Sequence, residues 1–118
     1  MLSSASSGIA AIGHNRYSTT GDPMVRNIQP LFADFEFGGL AVAHNGNLTN
    51  KATLTEDLFR EDRRHINTSS DSEILLNVLA HELSEFENIS LSADEIFAAV
   101  SKVHERTRGA YAAVAMFN

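Results

Sequence analysis

The sequence predicts an α+β fold built on antiparallel sheet, and three observations carry that expectation. Two short segments, 31–37 and 40–44, alternate or concentrate apolar residues on either side of a glycine pair, as the arms of a β-hairpin do. Two Ser-x-x-Glu sequences, Ser70 to Glu73 and Ser92 to Glu95, each precede apolar residues at three- and four-residue spacing, the pattern of a capped amphipathic helix. The stretch 110–117 is almost continuously apolar, which suits a strand covered on both faces.

In chain order, residues 1–8 are small and polar and read as a disordered edge, leaving 9–118 as one domain. Ile9, Ala10, Ala11 and Ile12 open a short buried strand that turns polar at His14 and runs to Tyr17. Residues 18–23 are rich in hydroxyls and closed by Gly21 and Pro23, so they form a loop at a strand end, a usual place for binding groups. In the hairpin, Phe35 and Phe37 alternate with Asp34 and Glu36, Gly38-Gly39 makes the reversal, and one face stays wet. The strand that follows delivers His44 and then Asn45-Gly46, a familiar turn pair because both residues tolerate positive φ. Asn50 caps a helix to about Asp62, with Leu54 and Leu58 inward and Ala52 and Phe59 widening the stripe. The second helix packs Ile74, Leu75, Val78, Leu79, Leu83 and Phe86 on the sheet. The third carries Ile96, Phe97, Val100 and Val103 and ends by Gly109.

Composition narrows the function classes. A chain of 118 residues with 43% hydrophobic and 20% charged residues can bury an ordinary core. Its net charge is -6, and its Lys and Arg residues are scattered apart from Arg63-Arg64, so it offers no phosphate-backbone track and nucleic acid is not expected as a partner. No apolar run is long enough for a membrane span, and the opening residues lack the pattern of a signal peptide, so the expected location is cytoplasmic. There is no cysteine, which removes disulfides, thiolate metal sites and a thiol nucleophile together.

Several polar groups each admit two readings. Asn45-Gly46 is either a plain turn or a pair of neutral donors, amide and backbone N–H, for an oxygen that gains charge during acyl transfer. Glycine would let a substrate approach the backbone closely. Arg16, beside the hydroxyls of Ser18, Thr19 and Thr20, is either a surface arginine or a bidentate fork for a carboxylate. Asp71, just inside a helix start, either complements the helix dipole or holds an ammonium group. His14, His44, His65, His81 and His104 show no paired metal spacing, and His14 and His44 are expected to hold strand ends by hydrogen bonds.

Three stretches carry a resemblance when taken together. They are Gly13-His14-Asn15-Arg16-Tyr17-Ser18-Thr19-Thr20-Gly21, Ala43-His44-Asn45-Gly46-Asn47-Leu48-Thr49-Asn50 and Arg64-His65-Ile66-Asn67-Thr68-Ser69-Ser70-Asp71-Ser72-Glu73. In that order, with Gln29-Pro30-Leu31-Phe32 and Arg108-Gly109-Ala110-Tyr111 around them, they resemble the class II glutamine amidotransferases. Tyr17 after Arg16, and the run Arg63-Arg64-His65-Ile66-Asn67-Thr68, are most similar to the members that pass ammonia to phosphoribosyl pyrophosphate for purine synthesis.

The resemblance implies an N-terminal-nucleophile hydrolase fold, an αββα sandwich of two antiparallel sheets between helical layers, here in part. It implies L-glutamine as substrate, Arg16 and Thr19 on its α-carboxylate, Asp71 on its α-amino group, and Asn45 and Gly46 as the oxyanion hole. Members attack the glutamine amide with an N-terminal cysteine. This sequence has none, so it is expected to be a fragment of such an enzyme, unable to perform acyl transfer alone. Its expected partners are the remainder of the enzyme and other copies of itself. No metal or cofactor is expected in this segment, magnesium entering only with a phosphoribosyltransferase domain. The alternative is a non-catalytic module, derived from such a domain, that binds an amino acid or a partner.

Overall fold

The computed structural model describes residues 8–15, 27–68, 70–87 and 89–118. Along them run β1 (Leu31–Phe35), β2 (Gly38–Leu48), α1 (Lys51–Arg60), α2 (Asp71–Ser84), α3 (Ala93–Arg106) and β3 (Gly109–Phe117). The strands form an antiparallel sheet in the order β1-β2-β3, so the α+β expectation holds. Residues 8–15 form no strand, and Ile9 is fully exposed, whereas the sequence suggested a buried strand over 9–17. An apolar run becomes a strand only where another backbone bonds to it. Here His14 meets β2 through its ring instead.

Phe35 pairs with Gly38, so the hairpin turns on Glu36 and Phe37, two residues before the expected glycine reversal. Gly38 enters β2 at φ 121° with its Cα against the Asn118 carbonyl, where a side chain has no room. Leu31, Ala33 and Phe35 turn towards the core, while Phe32 and Asp34 face the other way. β2 then runs on through Asn45, Gly46 and Asn47 to Leu48 instead of turning. The reason is β3, which pairs with it from Leu40 opposite Phe117 to Leu48 opposite Gly109; a continuous ladder outweighs the local turn preference of Asn-Gly.

α2 is the centre of the helical layer. Ile74, Leu75, Leu76, Val78, Leu79, Ala80 and Leu83 are buried, and the helix packs on β1 and β2 and touches α1 and α3. Leu54 and Leu58 of α1 are buried with it, but Ala52 and Phe59 are exposed, so the inward stripe is narrower than the sequence suggested. Asn50 stands at the start of α1 without capping it. Its amide donates to the Arg106 carbonyl at 2.8 Å and accepts from Arg108 N at 2.9 Å, fastening α1 to the connection between α3 and β3.

Of the two expected capping boxes, the one at Ser92 and Glu95 is complete. The other is half made. Ser70 Oγ accepts from Ser72 N at 3.1 Å, but the Glu73 carboxylate accepts from Asn67 N at 2.9 Å and Thr68 N at 2.6 Å instead of reaching back to Ser70. α3 buries Ala99 and Val103 and leaves Phe97 and Val100 exposed. A helix approaches its neighbour most closely at a small residue, so Ala99 faces α2 where the apolar count favoured Val100. β3 also departs from expectation. Ala112, Ala113, Val114 and Ala115 are exposed, because the helices cover only one face of the sheet, chiefly over β2.

Candidate functional site

β1 pairs with β2 only as far as Leu31 opposite Val42. Beyond that point the same edge of β2 is met by side chains. Gln29 Oε1 accepts from His44 N at 2.6 Å, the His14 ring donates from Nε2 to the His44 carbonyl at 3.1 Å, and Asp71 Oδ2 accepts from Leu48 N at 2.9 Å. On the β3 side, Thr49 N donates to the Arg108 carbonyl at 2.9 Å. Backbone groups alternate edges along a strand. The N–H of Gly46, midway between those of His44 and Leu48, therefore points away from β3, and among the described residues no side chain accepts from it.

Gly46 holds this place inside a strand at φ 136°. A Cβ there would strike the Ala110 carbonyl and lie 2.6 Å from Tyr111 Cα. Asn45 is exposed, and the alternation of the strand puts its side chain on the face opposite the helices.

His44 is 4% exposed and anchors this edge from beneath. Its Nδ1 lies 3.2 Å from the buried Ser72 Oγ, and its Nε2 is buried with no partner among the described residues. Desolvation lowers its pKa from 6.5, nearby Asp71 opposes that shift and His14 adds to it, so the ring is neutral at pH 7. The Tyr111 ring stands 6.2 Å away, its hydroxyl hydrogen-bonded to His104 Nδ1 at 2.7 Å and Thr107 Oγ1 at 2.9 Å.

Asp71 is the first residue of α2, and its side chain is 14% exposed. It sits where a helix dipole favours an anion, and its Oδ1 lies 3.4 Å from the Lys51 ammonium. Gly46 and Asp71 thus lie along the same edge of β2, between His44 and Leu48, whereas Asn45 carries its side chain on the sheet face away from the helices. Arg16 and Thr19 lie outside the described residues. Gln29, Lys51 and Ser72 were missed by sequence reasoning; only Ser72 had a local signal, its place in the helix start. His14 and His44 hold the strand as expected. Among the described residues, no group of three or more His, Asp and Glu is placed to hold a metal ion.

A glutamine amidotransferase domain model matches residues 14–117. The amidophosphoribosyltransferases of Pasteurella multocida and Escherichia coli are 50% and 51% identical to the chain over 109 residues, 92% of it and 21% of each relative. The chain therefore spans about a fifth of the length of the curated relatives it matches. Its structure is similar to that of glutamine phosphoribosylpyrophosphate amidotransferase from B. subtilis complexed with ADP and GMP. The TM-score is 0.65 and the identity 30%, over 88% of this chain and 20% of that one. The α+β architecture is accordingly part of the N-terminal-nucleophile hydrolase fold. With a domain model matching from His14 to Phe117 and half of the aligned residues shared with these relatives, the chain belongs to the glutamine amidotransferase domain family.

Proposed function

We propose that this chain is the glutamine-recognising part of a glutaminase that supplies ammonia for transfer to phosphoribosyl pyrophosphate in purine synthesis. The observation that carries the reading is the Gly46 N–H, left without an acceptor among the described residues between two neighbours that side chains have taken. A donor fixed in this way, beside the exposed Asn45 amide, suits an oxygen that becomes negative only during reaction. Asp71 takes the α-ammonium of L-glutamine; the Lys51 ammonium 3.4 Å from Oδ1 indicates that this carboxylate oxygen accepts such a group. Arg16 and Thr19 take the α-carboxylate.

The chemistry is acyl transfer. A cysteine thiol passes its proton to its own α-amine as the sulfur adds to the carboxamide carbon, the oxygen takes the negative charge against Asn45 and Gly46, and collapse expels ammonia, its nitrogen protonated by that amine, to leave a thioester. The chain contains no cysteine, so the thiol comes from another segment or chain. By itself this polypeptide holds glutamine without cleaving it. The same absence favours a second reading, a module that binds an amino acid or a partner without chemistry. Magnesium enters only with a phosphoribosyltransferase domain, and the working location is the cytoplasm; no helix of the described residues is long and apolar enough to cross a membrane.

The test joins the chain to a family segment that begins with cysteine and follows ammonia release. Asn45→Ala should lower kcat by roughly 10² to 10³-fold with little change in KM. Asp71→Asn should chiefly raise KM. An unchanged kcat for Asn45→Ala in an active assembly would reduce this stretch to a structural strand.

A further inference from the structure

A concavity opens at the far end of α1 from Lys51, about 15 Å from Asp71 by the rise of the helix. It has a volume of about 370 Å³ and is lined by Phe59, Arg60, Arg63, Arg64 and His65. Among the described residues nothing acidic lines it, in a chain whose net charge is -6. Of the neighbouring carboxylates, Glu56 pairs with the lining Arg60 at 3.2 Å, and Asp62 is turned to Arg106 at 2.8 Å and His81 at 3.4 Å. Phe59 leaves 64% of its surface in water, although Leu58 beside it is fully buried.

Two backbone and side-chain features go further. α1 closes when Arg64 N donates to the Leu58 carbonyl at 2.7 Å, and that closure places Arg63 at φ 58°, a left-handed conformation that glycine ordinarily supplies. An arginine held there is less comfortable than glycine, so its side chain, not its backbone, accounts for its presence. Arg64 keeps a buried Nε with no acceptor among the described residues; its guanidinium stands over the Phe35 ring, 5.4 Å from the centroid, and its Nη2 bonds Ser84 Oγ at 3.2 Å. Burial disfavours its charge, and the field of Asp62 offsets this only in part.

We infer that this pocket binds a small phosphate ester carrying an aromatic ring. The Arg63 guanidinium takes the phosphate oxygens, Arg64, His65 and Arg60 add positive field, and the ring lies against Phe59. The site is separate from the glutamine reading and stands or falls without it.

Calorimetric titration of the chain with phenyl phosphate and, separately, with inorganic phosphate tests the assignment. Phenyl phosphate should bind saturably and more tightly than inorganic phosphate, and Phe59→Ala should erase the difference between them. Arg63→Gly should weaken phenyl phosphate about tenfold or more, by loss of charge-assisted bonds, while its melting temperature stays equal or rises. That combination separates a lost ligand contact from a damaged fold. Absence of saturable binding, equal affinity for the two phosphates, or an Arg63→Gly variant that binds as well as its parent would overturn the proposal.

Discussion

Gly46 and His44 act on the same edge of β2 in opposite ways, one by offering a backbone donor and the other by fixing the strand that presents it. At Gly46 a methyl group would meet the Ala110 carbonyl and the Tyr111 backbone, at a φ that side chains rarely adopt. Gly46→Ala should therefore cost about 1–3 kcal/mol of stability, read as a shift in the urea midpoint; unchanged stability would mean the strand relaxes freely there. His44 gives a pH dependence with a definite sign. Its pKa lies below 6.5 in the folded chain through burial, so below that pH the unfolded chain takes up the proton first. Stability is full above 6.5 and declines as pH falls towards the folded value. Melting temperatures from about pH 7.5 to about pH 5.5 should fall for the parent and less for His44→Gln. Asn45, Gly46 and Asp71 were nameable as candidates from the sequence because their chemistry is local: a glycine that tolerates positive φ, an amide, an acid at a helix start. Gln29, Lys51 and Ser72 were not, because each acquires its meaning from a partner the fold brings to it.

The elements show where local rules stop. Ser92 and Glu95 form the whole box their spacing promised, since nothing nearby competes for them. Ser70 and Glu73 form half of theirs, because the N–H groups of Asn67 and Thr68 claim the Glu73 carboxylate. Asn50 read as a helix cap, yet its amide bonds Arg106, 56 residues away, a pairing no local pattern can announce. Asn50→Ala should destabilise the chain by about 1–3 kcal/mol, since it strips partners from the Arg106 carbonyl and Arg108 N, and chemical denaturation measures it. Helical periodicity found the three described helices and the inward face of α2, but drew the stripes of α1 and α3 too wide. Phe59, Phe97 and Val100 lie outside the buried stripe because their helices carry more apolar residues than the neighbouring elements cover.

Across the described residues as a whole, the helices cover one face of the sheet, and the other face leaves large apolar side chains exposed. Phe32 and Val114 are 61% and 55% exposed, and the pairings place both on the side away from the helices. The continuous apolar run of β3 was visible in the sequence, but which of its faces finds cover depends on surroundings that a strand pattern does not contain. A surface of this kind associates. Sedimentation should reveal concentration-dependent self-association of the parent and less of it in Val114→Lys, whereas a monodisperse monomer at every concentration would oppose this. The central claim is that the chain recognises glutamine through the end of β2 and the start of α2, and calorimetric titration of L-glutamine into the chain and into Asp71→Asn tests it most directly. The account predicts saturable binding by the parent and strong loss in the variant; no saturable heat, or equal affinity in both, would contradict it.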